Sequence, residues 1–397
     1  MLCEPYATTT VLINQWSISG RMGRVLVVGG GPAGSACAIE AAKNGLEVVL
    51  FEAGSSDRDK ICGDGILPDS QRVLAHFGLL EKVQNSGTYM DKLTLYALRG
   101  EQIDFKMPVI TLRRSVFDRI LRDAAVDAGA KLYQDTSIVK TERTTDGVTA
   151  IDSKGNHYKG DVLALATGAK TSLAKEAGFE FGNAQAVAVR GYVRNVRGFE
   201  HCLLWFTKDI RPAYAWAAPS PNGLMNVGLG YYFDGQQCNA QNLLMKFVQT
   251  IGKDAIGTDE FVEKPKGWPL RSGLRSDAYG DRTLLLGENA ECVFEFTGEG
   301  IGKAMQSGIA AANAISVAEQ PYDKEQLATY GRELEKLRPI FDGYSRTKAL
   351  FGNPISNYAF TKLLQNSSRA RDALSDVLCE NISPKELFSV KGLVKYW

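Results

Sequence analysis

Residues 24–54 read RVLVVGGGPAGSACAIEAAKNGLEVVLFEAG. RVLVV is an apolar run ending at glycine, the pattern of a parallel strand buried on both faces. Gly29, Gly31 and Gly34 follow at the spacing of a dinucleotide-binding turn. The first two carry no side chain to obstruct a tight turn or an approaching pyrophosphate, and Gly34 lets the next helix pack on the strand. Residues 33–44, with Ala36, Ala38, Ala41 and Ala42, predict a helix whose N-terminal amides face the phosphates. LEVVLFE predicts a second strand, with Glu52 at its end. A carboxylate there accepts hydrogen bonds from the ribose of an adenosine and repels a 2′-phosphate, which disfavours NADP. The turn alone does not choose between FAD and NAD.

The chain has 397 residues, 44% of them hydrophobic, which suffices for a large core and two interleaved domains. A net charge of +1 gives no basic or acidic excess to argue for nucleic acid or an anionic surface. Seven scattered cysteines without a CxxC pair read as reduced thiols of a cytoplasmic protein. The three histidines (His76, His157, His201) lie far apart, so a zinc site or a serine-type triad is not expected. Residues 1–22 lack the basic start and apolar run of a signal peptide and are expected to form a draped or disordered arm. No apolar stretch reaches 18 residues, so no transmembrane segment is expected.

Further along, residues 116–129 predict a helix ending at Gly129. Residues 130–153 predict strands joined by a hairpin at Asp146-Gly147. GDVLALATG predicts a buried strand returning to the first sheet. From 185 to 232, AVAVRGYVRNV, HCLLWFTKD, AYAWAAP and LMNVGLGYYF predict the antiparallel strands of a second sheet. DRTLLLGEN predicts one more buried strand, 299–318 a long Gly- and Ala-rich helix, and the chain beyond 320 is expected to be helical. The expected division is discontinuous: 23–87, 109–184 and 268–320 bind the cofactor, 88–108 and 185–267 the substrate, and 321–397 form a helical region.

FAD is favoured over NAD by a second glycine-marked turn, TLLLGENAECVFEFTGEGIGKAMQSGIAAANAI (283–315), and by the paired arginines of LRRSVFDRIL (112–121). A chain that returns to its cofactor so late suits an extended FAD. Together with KICGDGILP (60–68) and AYAWAAPSPNGLMNVGLGYY (213–232), these blocks resemble the FAD-dependent oxidoreductases of the geranylgeranyl reductase family, within the wider fold of aromatic hydroxylases and flavin halogenases. The resemblance covers roughly residues 24–320. It implies an α/β, Rossmann-like FAD-binding domain of glutathione-reductase or hydroxylase type, with a mixed β-sheet substrate domain and a helical C-terminus.

The resemblance also implies roles. Gly29, Gly31, Pro32, Ala33, Gly34, Glu52 and Ala53 would hold the adenosine half. Arg114, with Arg113 beside it, would reach the pyrophosphate or adenine. Gly287 and Glu288 would approach the phosphates and ribityl chain. Gly298, Gly300 and Ile301 would aim amides at the flavin pyrimidine, stabilising negative charge on the reduced ring. Cys62, Gly63 and Asp64 would lie near the isoalloxazine, and Tyr214, Trp216 and Pro219 would line the substrate chamber.

Two positions depart from the family pattern. Glu288 stands where the family has aspartate, and Glu295 where it has proline before TGEG. If the loop is kept, Glu295 places a carboxyl at the reactive edge of the flavin, able to act as acid or base. A salt-bridged or solvent-facing Glu295 is the plainer alternative, as are an inert Cys62 and a Tyr214 and Trp216 that merely pack.

Three functions compete. The first is a reductase that passes a hydride to an apolar or aromatic substrate, with Glu295 or Cys62 as proton donor. The second is a monooxygenase or halogenase-like enzyme acting through a C4a-hydroperoxide, including enzymes that modify tryptophan of a partner protein, as in tryptophylquinone maturation; its cue would be a chamber lysine, for which Lys60 is the candidate. The third is a non-catalytic flavin-binding protein. Without a second nucleotide turn, electrons are expected from transient NAD(P)H, a separate flavin reductase or ferredoxin.

Overall fold

The computed structural model describes residues 23–233, 239–387 and Lys395. The anticipated N-terminal arm and nearly all of the C-terminal LFSVKGLVKYW lie outside these residues.

RVLVV forms the strand Arg24–Val28, its last four residues buried. It pairs in parallel with Glu47–Phe51 on one side and Val162–Leu165 on the other, so Val28 has both Phe51 and Leu165 as register partners. The sheet runs in the order Tyr279–Gly280, Thr283–Leu285, Val162–Leu165, Arg24–Val28, Glu47–Phe51, Lys131–Tyr133. Its central position explains the unbroken apolar run: helix Pro32–Lys43 and a three-stranded sheet spanning 138–160, whose Tyr158 ring meets Phe51 at 4.8 Å, both pack against it. Helix Pro32–Lys43 starts with proline at its first turn, and its predicted alanines Ala36, Ala38 and Ala41 are fully buried. The 116–129 prediction is met by helix Arg114–Asp127, and Gly129 stops it at φ +108°.

The second sheet has eight strands, ordered Phe261–Leu270, Ala186–Arg194, Leu224–Tyr232, Ala215–Ser220, Cys202–Trp205, Thr88–Tyr96, Gln102–Thr111, Gly65–Ile66. Neighbours are antiparallel except Cys202–Trp205 beside Thr88–Tyr96, which run parallel. All four segments expected from 185 to 232 are present, and the sheet is mixed rather than purely antiparallel. Its edge strand Phe261–Leu270 alternates in burial and carries Pro265 and Pro269, residues tolerated where ladder bonds face away from neighbours. Gly65–Ile66 is contributed from the midst of the cofactor-side segment, so the two sheets share chain. The hairpin at Asp146-Gly147 joins Ile138–Arg143 to Val148–Asp152 in a separate three-stranded sheet.

Helix Ile301–Val317 lies against Pro32–Lys43, and the helices Ala328–Glu335, Arg338–Gly352, Pro354–Asn366 and Ser368–Leu378 close that end. Phe294 pins them there. Its ring stacks on Tyr344 at 4.1 Å and meets Phe341 edge-on at 4.7 Å. Burying a phenyl ring to this degree contributes about 2–3 kcal/mol. No described helix is long and apolar enough to cross a membrane.

Candidate active site

A cavity of about 950 Å³ runs between the sheets, from the first glycine turn to the aromatic face of the second sheet. At its first end, two glycines are fixed by close approach. A Cβ on Gly29 would stand 2.2 Å from the Ala166 carbonyl oxygen, and one on Gly34 1.9 Å from that of Gly29. Gly34 is therefore not on the cavity wall; its task is to let helix and strand meet. Gly31 is the opposite case, open to the cavity: a Cβ there would meet Arg114 Nη2 at 3.9 Å and nothing nearer.

Glu52 is buried at this end, and its carboxylate is oriented by backbone amides. Oε2 accepts from Gly30 N at 3.1 Å and Oε1 from Gly54 N at 2.8 Å, while Arg58 Nε lies 3.0 Å from Oε1. Arg114 is also buried and lines the cavity beside Gly31. Burial works against its charge, but the Asp118 carboxylate, accepting from Nε at 2.8 Å and Nη2 at 2.9 Å, holds the guanidinium above its ordinary basicity. Cys62 lies next to it.

Pro32, Ala33, Ala53, Cys62, Gly63, Gly287, Glu288, Gly298, Gly300 and Ile301 also line the cavity. Glu288 has both oxygens engaged: Arg271 N donates to Oε1 at 3.1 Å and Lys60 Nζ to Oε2 at 3.2 Å. The candidate lysine Lys60 is thus tied to the second glycine turn. The start of helix Ile301–Val317 opens onto the far end of the cavity, so its unpaired amides are available there.

Tyr214 and Trp216 share the far wall, ring centroids 6.1 Å apart. Tyr214 donates its hydroxyl to Thr297 O at 2.5 Å. Trp216 lies in a slot over Gly228, where a Cβ would come within 2.3 Å of the indole. The glycine of NVGLG is the space the tryptophan occupies.

Three expectations are corrected. Glu295 does not line the cavity: its carboxylate turns outward to Lys348 Nζ at 3.4 Å, a lysine that also lies over the Tyr232 ring. Residues 295–297 form a turn, with Gly298 N donating to Phe294 O at 3.0 Å; Phe294 is packed into the core and Phe296 onto the cavity wall, and Glu295 faces the other way. Asp64 is not on the wall either. It is fully buried at φ +62°, accepting from Tyr192 Oη and, at 2.8 Å, from Asn226 Nδ2. Pro219 is buried behind the chamber, its carbonyl accepting from the Thr111 hydroxyl.

Several residues that sequence reasoning passed over sit at this end. Asn226, fully buried, ties Trp216, Cys62 and Asp64 together. Burial pushes the Asp64 carboxyl up to about 6, against the lowering pull of its hydrogen bonds from Tyr192 and Asn226. Glu299 and Asp69 line the cavity beside the helix start. A polar residue inside an apolar strand (Asn226) and an acid between two glycines (Glu299) were the available signals.

The residues present fit an extended dinucleotide. A ribose-binding carboxylate lies at one end, an open glycine turn and an arginine follow, and a second helix start faces the other end. The volume suits a large cofactor with substrate beyond it. Fold and site together define an FAD-dependent oxidoreductase. The chain belongs to the family described as FAD binding domain, which it matches over residues 22–337. It is 28% identical over 324 residues to a menaquinone reductase of Mycolicibacterium smegmatis, covering 74% of this chain and 76% of that protein. It is 29% identical over 335 residues to digeranylgeranylglycerophospholipid reductase 2 of Methanosphaera stadtmanae, covering 77% and 81%. Its fold matches the crystal structure of a geranylgeranyl bacteriochlorophyll reductase-like protein of Thermoplasma acidophilum at a TM-score of 0.75 and 20% identity, covering 94% and 96%.

Proposed function

We propose that this protein reduces carbon–carbon double bonds in an isoprenoid chain. The observation that carries this reading is the character of the cavity beyond the cofactor residues. Leu93, Met107, Val109, Leu204, Trp216 and Phe296 line it, so an apolar chain exchanges water for hydrocarbon and aromatic surface. The names of the menaquinone and digeranylgeranylglycerophospholipid reductases point to the same class of substrate.

The flavin supplies the hydride when bound. The chain's own residues do the rest. Glu52, Gly29–Ala33, Arg114 and the start of helix Ile301–Val317 hold and orient the cofactor. Tyr214 and Trp216 form the wall against which a double bond is pressed, and the Asn226 clasp keeps that wall in register with the Cys62 loop. Each reduction also needs one proton at the second carbon, and the chamber must keep bulk water out while providing it.

The test is anaerobic incubation of the reduced, FAD-loaded protein with a polyprenyl substrate, followed by mass spectrometry. The expected product gains two hydrogens per double bond. Incorporation of oxygen under air, with no hydrogen gained anaerobically, would establish an oxygenase instead.

A further inference from the structure

Beyond the residues that hold cofactor and substrate, a line of ionisable side chains joins the cavity to the surface. Arg72, half exposed, stands 3.4 Å from Glu380. Glu380 lies 2.7 Å from Lys303 Nζ, which lies 3.5 Å from Asp69. Lys303 is only 2% exposed, and Asp69 reaches the cavity wall beside Glu299. The Asp69 carboxylate presses on the first turn of helix Ile301–Val317, since a Cβ on Gly302 would lie 2.0 Å from its Oδ2. One oxygen of Glu380, Oε1, is buried without a hydrogen-bond partner.

The charges in this line do not balance. Asp69 and Glu380 share a single buried ammonium, Glu299 adds a third carboxyl within reach of their charges, and Arg72 stands only at the rim. In a poorly solvated interior that imbalance is relieved by holding a proton on a carboxyl. Burial raises Glu299 well above the ordinary carboxylate range, and the Asp69 and Glu380 charges raise it further. Burial raises Glu380 too, against the opposing pull of Lys303. Every element packed around Glu299 contributes: Asp69 from helix Pro68–Phe77, Glu380 after helix Ser368–Leu378, Tyr344 from helix Arg338–Gly352, Tyr214 beside strand Ala215–Ser220, and Lys303 from the helix that Glu299 precedes. Both phenols are driven upward by burial and stay neutral at ordinary pH. Lys303 is the cation whose charge opposes the rise of Glu299, acting from beyond ion-pair distance.

We propose that Glu299 is the acid that protonates the substrate, and that Asp69, Lys303 and Glu380 form the path by which solvent reloads it. The proposal rests on the reading of the site as a double-bond reductase. The hydride from reduced flavin brings the electron pair to one carbon. The Glu299 O–H bond breaks as a C–H bond forms at the other carbon, and the resulting carboxylate takes back one proton through Asp69, Lys303 and Glu380. Per double bond, one hydride and one proton are consumed, and the cluster returns to its starting charge.

Infrared difference spectroscopy of the FAD-loaded protein, with and without photochemical reduction and with no substrate present, reads the proton directly. A protonated-carboxyl band is expected that responds to flavin reduction, shifts on carbon-isotope labelling of glutamate, and is missing in Glu299→Gln. After dilution into heavy water, its exchange is expected to slow at least tenfold in Glu380→Gln and in Asp69→Asn. With polyprenyl substrate, Glu299→Gln should lose about a hundredfold in kcat, with little change in KM. A band that survives in Glu299→Gln, or unchanged exchange in both path variants, would overturn the proposal. If Glu299→Gln fails to retain FAD, the isotope shift in the unmodified protein still decides whether a glutamate holds the proton. Because the infrared readout needs no substrate, the two readings fail separately: a normal band with no prenyl reduction refutes the substrate, and prenyl reduction without the band refutes the relay.

Discussion

Trp216 donates its indole N–H to Asn226 Oδ1 at 2.9 Å, and the same asparagine donates from Nδ2 to the Cys62 carbonyl, also at 2.9 Å. One buried side chain thus joins the substrate wall to the loop facing the cofactor, across 164 residues of sequence. Replacing it with leucine leaves the indole N–H and the Cys62 carbonyl unpaired in the interior. Each such group costs about 1–3 kcal/mol, so Asn226→Leu should lose roughly 2–6 kcal/mol in urea unfolding. Trp216→Phe breaks one of the same bonds. The costs of the two substitutions should therefore add to more than the cost of the double variant, and strict additivity would show that the clasp carries no energy.

Asp64 makes stability depend on pH. Its folded carboxyl titrates near 6, above the ordinary value of 3.8, because burial disfavours the charge. Between those values the native state binds the proton more tightly than the unfolded chain. Its contribution is therefore lost as pH rises from about 4 through 6, reaching about 3 kcal/mol above pH 6. Asn at this position keeps the shape, tolerates the left-handed backbone and still accepts from Tyr192 and Asn226. The stability difference between Asp64→Asn and the unmodified protein, measured by denaturant at pH 4 and pH 7, should move toward the variant by roughly that amount. A difference that stays level with pH would place the Asp64 titration elsewhere.

What can be read without the fold is what is set locally. The strand at 24–28, the turn, the helix and Glu52 follow from the periodicity and glycine spacing of one thirty-residue window, and the structure reproduces them. The helix Pro68–Phe77 is equally local, marked by proline at its start and by Gly78 at φ +75° after its end. The direction of Glu295 is not local. It depends on Phe294 finding Tyr344 and on Lys348, which lies 53 residues further on. The partnership of Asn226 with Asp64 spans 162 residues. No spacing rule reveals a partner that only the second sheet brings near, so the buried polar clasp and the Lys303 cluster emerge from the fold alone.

Glu52 offers a test of the adenosine end. Its carboxylate is held in place by the Gly30 and Gly54 amides, so Glu52→Gln changes charge and donor pattern more than shape. Losing a charge-assisted hydrogen bond costs about 1.5–3 kcal/mol. The Kd for FAD, from quenching of flavin fluorescence, should rise roughly 10- to 100-fold. An unchanged Kd would mean that the ribose is held by other groups.

Glu295 should prove dispensable. Its ion pair with Lys348 has both side chains about a third exposed, 32% for Glu295 and 28% for Lys348, a setting in which such pairs contribute about 0–1 kcal/mol. Glu295→Gln should keep kcat and its pH profile within about twofold of the unmodified protein and shift unfolding by less than about 1 kcal/mol. Lys348→Met should behave alike, apart from the packing it loses over Tyr232. A pH profile that loses its alkaline limb in Glu295→Gln, while Glu299→Gln keeps it, would return the proton-donor role to the loop residue and show that the loop turns inward when substrate binds.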